Sequence, residues 1–572
     1  METEESAPQG RSIVDGEAAG EILSLAEGIS FWGGVDPDTG KVIDVHHPNH
    51  GASVAGKILM MPTSRGSCSG SGVLLELSLN SNAPAALVFS EPEEILTLGA
   101  LVSDRIFGRP LPVVRLTRAA YRRLAQASEA RLAGGRITAP GFTINLNPIE
   151  ANYVNLTDED RALLDGKTGL AAQMAMEVIC RMAAAGDVAS LTTVTRGHID
   201  GCILAHSANL IFAEKMAELG AQVSIPTTIN AISVDRENWQ HQGVAPDFGS
   251  RASRLADAYV RMGATPVFTC APYLLENPPD KGEMIGWSES NAVIFANTVL
   301  GARTPKHPDY LDLFIAMTGR APLSGVYAEA GRRAGAILDV VLEAGTVDDL
   351  FWPILGWIAG RNAPDRIPLI RGVAAFDPSQ DDLKALCAAF GTTSGAPMLH
   401  IEGVTPEAHL VPADGAQQTK ISATDFAGAW RELNRGSSKI DLVSIGSPHA
   451  SGAELRRMAE LFAGRKRHPA TEVIVTAGRD ILRDAAEEGT IAVLQASGVK
   501  LLPDLCWCSI VEPVFPPQAQ GIMTNSGKYA HYAHGLSGRH ARLGSLSDCV
   551  EAAVTGRAPP GIPTWLAEQP VL

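Results

Sequence analysis

Val473-Ile-Val-Thr-Ala477, the amphipathic run from Ile481 to Ser497, and Lys500-Leu-Leu-Pro-Asp-Leu-Cys506 decide the fold class. A short apolar run rich in β-branched residues, a helical segment and a second apolar run read as strand, helix and strand. That order implies a parallel sheet with a right-handed crossover. Working outward, the same alternation extends back to Thr157, a good helix N-cap followed by acids in the first turn. The helix it starts, Asp158 to Ala185, is interrupted near Gly166. Upstream the pattern changes. Lys57-Ile-Leu-Met-Met61, Ala85-Ala-Leu-Val-Phe89 and Leu111-Pro-Val-Val-Arg-Leu116 read as short strands, and Asp36-Pro-Asp-Thr-Gly40 as a turn. Residues 117–133 read as one Ala- and Arg-rich helix, and the stretch from Gly134 to Asn152 as irregular. The expected organisation is a small β-rich domain over residues 1–135 after a loose tail at 1–20, a linker at 136–152, and a large α/β domain over 153–572.

Composition narrows the function. The 572 residues carry 47 Lys+Arg against 63 Asp+Glu, a net charge of −16, so the chain lacks the clustered cations that phosphate backbones require. No nucleic-acid partner is expected. With 45% hydrophobic and 19% charged residues it has the profile of a packed globular protein. No apolar run approaches a membrane span, so no membrane association is expected. The N-terminus Met-Glu-Thr-Glu-Glu-Ser lacks a basic segment followed by an apolar one, so no signal peptide is read. The eight cysteines are too sparse for a disulfide scaffold. A reducing, cytoplasmic, monomeric protein is expected, its cysteines free, buried or ligands.

Four stretches carry candidate chemistry. The loop Thr63-Ser-Arg-Gly-Ser-Cys-Ser-Gly-Ser-Gly72 lies between a strand and an apolar helix, a geometry that aims backbone N–H groups at an anion. It lacks the Gly-Lys-Ser/Thr ending and the acid of nucleotide motifs. It reads either as an ordinary Ser/Gly turn or as a carboxylate-binding loop whose serine oxyanion Arg65 could stabilise. Cys270, Ser447 and Cys506 each follow a segment read as a strand, where parallel sheets gather ligands. Cys506-Trp-Cys508 is not a usual metal-ligand spacing, and free cysteines are commonly just buried. Asn525, Ser526 and Lys528, clustered around Gly527, suit a carboxylate; His531 and His534 lack the acid of a zinc motif. Arg196-Gly-His-Ile-Asp-Gly201 and Trp287-Ser-Glu-Ser-Asn-Ala292 place acids beside small residues, and each could equally cap a helix.

Taken in order, these stretches resemble the aconitase X family, a branch of the aconitase superfamily. The likeness extends through Ile29-Ser-Phe-Trp-Gly-Gly-Val-Asp-Pro-Asp-Thr-Gly40, Arg65-Gly-Ser67, Cys270-Ala-Pro-Tyr273, Glu402-Gly-Val-Thr-Pro-Glu407, Ser447-Pro-His449, Asp504-Leu-Cys506 and Thr524-Asn-Ser-Gly-Lys-Tyr529. The resemblance implies a swivel domain fused to an aconitase-like α/β domain, and an iron–sulfur hydro-lyase acting on a small hydroxylated acid. It implies Ser67 as catalytic base with Arg65 beside it, and Cys270 and Cys506 as cluster ligands. Ser447 stands where the resemblance implies a third cysteine in an archaeal branch, which favours a [2Fe–2S] cluster, with Cys508, Cys387 or a serine such as Ser447 completing the ligand set. Asn525, Ser526 and Lys528 would hold the substrate carboxylate. Fusion of the lobes and Ser447 imply the branch that dehydrates cis-3-hydroxy-L-proline; the two-subunit branch acts on mevalonate 5-phosphate. Placing Ser67 in one lobe and the cysteines in the other implies an active site at the lobe interface.

Overall fold

The structure, a computed structural model, describes residues 9–65, 69–150, 153–342 and 345–569. The chain forms two compact units. The first comprises Met1–Thr227, Ala258–Ala264 and His307–Ser324, and the second Thr228–Asp257, Thr265–Lys306 and Gly325–Leu572.

The first unit contains a closed eight-stranded barrel. Around it, in hydrogen-bonded order, run Gly10–Val14, Phe142–Asn147, Arg136–Ala139, Glu129–Ala133, Ala18–Ser24, Ile58–Met60, Ala86–Phe89 and Val113–Leu116, which returns to the first strand. Ile58, Met60, Val88, Val114, Leu116, Leu132, Ile137 and Ile144 fill its interior. Each such side chain contributes roughly 1.5–3 kcal/mol on burial. The barrel corrects two expectations. Residues 117–133 are not one helix: the helix Arg118–Leu124 ends and the strand Glu129–Ala133 follows, with Ala130 and Leu132 buried in alternation. Residues 136–147 are not linker but the last hairpin of the barrel. Ala and Arg favour helix in isolation, but burying a period-2 face between neighbouring strands outweighs that small preference.

Two further helices, Gly70–Leu79 and Ile95–Phe107, are buried along most of their length and pack on one another. Gly99 makes that approach possible: a Cβ there would lie 2.8 Å from the Ser71 carbonyl. The helix predicted to break near Gly166 is two helices, Asp158–Leu164 and Leu170–Ala185. Thr157 caps the first, with Asp160 closing a reciprocal capping box.

The second unit holds two parallel sheets. Four strands run in the order His400–Ile401, Pro368–Arg371, Ala336–Val341, Gln417–Ser422. Five run in the order Lys500–Leu502, Glu472–Thr476, Leu442–Ile445, Ile522–Thr524, Ala541–Leu543. The second contains the predicted strand–helix–strand unit, its crossover split at Gly489 into Arg479–Glu487 and Thr490–Ala496. Strand order reverses between Leu442–Ile445 and Ile522–Thr524. Such a reversal opens a ligand crevice beyond the carboxyl ends of the strands. Ser447 follows the first of these strands and Ser526 the second. Among the described residues no helix is long and apolar enough to cross a membrane.

Candidate metal centre

Three cysteines of the second unit converge. Cys270 and Cys506 are buried against Ala231, and partly buried Cys508 packs on them. The Cys506 thiol has Cys270 and Cys508 as its neighbouring sulfurs. Contact with Cys270, together with burial, pushes it above the ordinary thiol range. Neither Cys270 nor Cys506 ends a strand, contrary to expectation. Val267–Cys270 is irregular, and Lys500–Leu502 stops short, leaving Cys506 on a turn after Asp504.

Hydrogen bonds from distant segments hold that turn. Asp504, fully buried with φ +67°, accepts the Arg479 guanidinium through both oxygens and the Arg236 amide at 3.1 Å. Its carbonyl accepts the Ile232 amide at 2.7 Å. His449 ties the remaining segments. Burial lowers its pKa to about 4, so the ring is neutral. Nε2 then donates to the Leu505 carbonyl at 2.7 Å, and Nδ1 accepts from Thr269 at 3.0 Å. The His449 amide points at Cys270 Sγ, 3.4 Å away. The Ser447 hydroxyl, two residues earlier, is buried with no hydrogen-bond partner among the described residues, although the Ser447 carbonyl accepts the Ser526 hydroxyl.

Beside the sulfurs lies an ion pair that the sequence did not reveal. Lys528 Nζ meets Glu289 Oε1 at 2.8 Å, both side chains being largely buried. Asn291 donates to Glu289 Oε1 at 2.6 Å and to the Cys270 carbonyl at 3.1 Å, and accepts the Tyr273 hydroxyl at 2.9 Å. Asn230 reaches Glu289 Oε2 at 3.3 Å. Burial alone would raise the Glu289 pKa, but Lys528 and Asn291 outweigh it and hold the carboxyl well below its ordinary range. Burial alone would lower the Lys528 pKa, but the charge of Glu289 above all outweighs it and raises it.

Family models match along the chain: the Aconitase X swivel domain at residues 7–139, and its first, second and third domains at 153–330, 335–431 and 440–555. The chain belongs to the aconitase X family. It is 47% identical to the cis-3-hydroxy-L-proline dehydratase of Pseudomonas aeruginosa over 98% of both chains. It is 31% identical to the phosphomevalonate dehydratase large subunit of Methanothermobacter thermautotrophicus, over 68% of this chain and 96% of that one. The crystal structure of Thermococcus kodakaraensis aconitase X in its holo form superposes with a TM-score of 0.64 at 29% identity, covering 70% of this chain and all of that one.

An aconitase X fold implies an iron–sulfur cluster, and the donor chemistry here fits one. Three soft sulfur donors cluster in a buried setting near the Lys528 cation, and the Ser447 hydroxyl nearby has no hydrogen-bond partner among the described residues. As thiols they contact one another, and among the described residues no group of three or more acidic, His or Cys side chains is spaced as a preformed metal cage. Cluster binding therefore entails deprotonating them.

The other predicted residues are placed as follows. Ser67 and its neighbours Gly66 and Cys68 lie outside the described residues. Arg65, in the first unit, is exposed and paired with Glu27 at 2.8 Å. Cys387 is buried in the apolar core of the second unit, in a different cluster from the three cysteines. Ser526 caps the helix Gly527–Ser537, accepting the Tyr529 amide at 3.0 Å. Asn525 is partly buried, with no hydrogen bond among the described residues. Glu289 was visible only as an acid in a small polar run, and it does cap the helix Ser290–Phe295. Its pairing with Lys528, 239 positions away, leaves no local sequence signal.

Proposed function

We propose that the protein is a hydro-lyase that dehydrates cis-3-hydroxy-L-proline to Δ1-pyrroline-2-carboxylate. End-to-end likeness to the Pseudomonas aeruginosa dehydratase carries the reading. Cys270, Cys506 and Cys508 would hold an iron–sulfur cluster of the [2Fe–2S] type, with Ser447 available as an oxygen donor on the adjoining strap. When bound, such a cluster supplies Lewis acidity for a departing hydroxyl.

The rest of the chemistry falls to the chain's own groups. The substrate must lose its C2 proton and its C3 hydroxyl, giving an enamine that tautomerises to the cyclic imine. Ser67 is the proposed base. A serine oxyanion is accessible only where fixed positive charge and N–H groups stabilise it, and Arg65 and the start of the helix Gly70–Leu79 are the groups proposed for that role. The substrate carboxylate is assigned to the loop before Gly527. Asn525 is its uncommitted hydrogen-bonding side chain, Ser526 presents backbone at the helix start, and Lys528 contributes charge. Free thiols suit a reducing compartment such as the cytoplasm.

The deciding experiment assays anaerobically purified protein on cis-3-hydroxy-L-proline and on mevalonate 5-phosphate, with iron and sulfide counted in the same samples. Turnover of the first substrate alone, with stoichiometric iron and sulfide, is expected. Replacing Cys270, Cys506 or Cys508 by Ala should give colourless, inactive protein. Turnover of only the phosphorylated acid, or of neither, would refute the substrate assignment.

A further inference from the structure

Continuum arguments and measured replacements agree that a buried ion pair seldom adds stability over apolar groups of the same size, because desolvating both charges costs as much as their attraction returns. Glu289 and Lys528 are such a pair. Lys528 lies on the helix Gly527–Ser537, and the next residue, Tyr529, packs on Trp507, which stands between Cys506 and Cys508, with ring centroids 5.1 Å apart. That contact sets the helix start carrying the cation against the segment carrying two of the sulfurs. The negative end is immobilised by Lys528 itself, by Asn230 and by Asn291. Asn291 uses the same amide nitrogen to hold the Cys270 carbonyl, so the carboxylate and the ligand loop share one anchor.

We propose that Glu289 and Lys528 are positioning residues that set the charge at the three sulfurs: Lys528 supplies a fixed cation beside them, and Glu289, anchored through Asn291 to the Cys270 loop, holds that cation in place and moderates it. The inference rests on the cluster reading above and assigns Lys528 a role different from gripping the substrate. Net charge around an iron–sulfur cluster sets its reduction potential, and the same field strengthens the metal as an acceptor of a leaving hydroxyl.

The test is potentiometric titration of the holoprotein followed by EPR, with kinetics on the same preparations. Lys528→Met should lower the midpoint potential and reduce kcat more than it raises KM. Glu289→Gln, which leaves the cation uncompensated, should raise the potential. Opposite shifts are diagnostic, since simple loosening of the pocket would move both variants the same way. Unmoved potentials in iron-replete variants, or a raised KM at unchanged potential for Lys528→Met, would overturn the proposal and return Lys528 to the substrate carboxylate. If Lys528→Met holds no iron, Lys528→Arg decides: retention of iron by the arginine variant supports a requirement for charge, and its loss overturns it. Wild-type protein lacking iron and sulfide altogether would instead defeat the cluster reading on which the inference stands.

Discussion

Asn291 makes three hydrogen bonds from a side chain that is 2% exposed, and its removal has a size that can be worked out. In Asn291→Ala the Cys270 carbonyl and the Tyr273 hydroxyl each lose a partner in a buried setting. An unsatisfied buried polar group costs about 1–3 kcal/mol, so two give about 4 kcal/mol. Glu289 keeps Lys528 and is not counted. Asn291→Asp should be worse despite its matching shape. It places a second carboxylate within hydrogen-bonding distance of Glu289, and one of the two must then take up a proton. Urea unfolding followed by near-ultraviolet circular dichroism reads the stability, and the iron-to-protein ratio reads the Cys270 loop. A midpoint equivalent to about 4 kcal/mol lower, with depleted iron, is expected of the alanine variant. A loss below about 1 kcal/mol, the worth of one ordinary hydrogen bond, together with full iron content, would refute the view that Asn291 anchors the Cys270 loop.

Two further outcomes follow from the site and the core. Ser67→Ala should abolish turnover while the visible spectrum of the cluster is retained; near-normal activity would remove Ser67 from the mechanism. Asp349, whose carboxylate accepts the Leu546 amide at 2.8 Å, has its pKa raised by burial to about 7. Its folded pKa thus exceeds the unfolded one, so the folded state binds the proton more tightly. The stabilisation is complete below the unfolded pKa, and it is lost as pH rises through about 7. Asp349→Asn should therefore stabilise the protein at pH 8 by up to about 4 kcal/mol, at 1.36 kcal/mol per pKa unit, and have little effect at pH 4. Parallel stability–pH curves for the two proteins would contradict this.

The sequence disclosed the parts of this molecule whose signals are local. The strand–helix–strand unit around Val473, the capped helix after Thr157 and the switch-point serine Ser447 all arise from runs of a few residues, and they stand where periodicity and capping chemistry place them. Barrel closure was not legible. Glu129–Ala133 and Arg136–Ala139 are short and half-exposed, and their strand character comes from neighbours distant in sequence, not from composition. Cys270 is singled out in the sequence by its place after an expected strand, yet that segment is irregular backbone. It is held instead by the Asn291 amide and faced by the His449 N–H. Glu289 escaped because the sequence shows an acid but not the buried cation opposite it.

The closed barrel has a consequence for how this gene could be divided. Every one of its eight strands has a neighbour on both sides, so the sheet ends on no row of unpaired N–H and C=O groups. Exposed sheet edges are what make severed domains stick to one another. A new chain terminus introduced after Asn147 would leave the ring of strands intact. The boundary between one polypeptide and two can thus shift at this point without creating an unpaired sheet edge, although the helix Leu170–Ala185, which packs on the first barrel strand and on Ile95–Phe107, would have to stay docked.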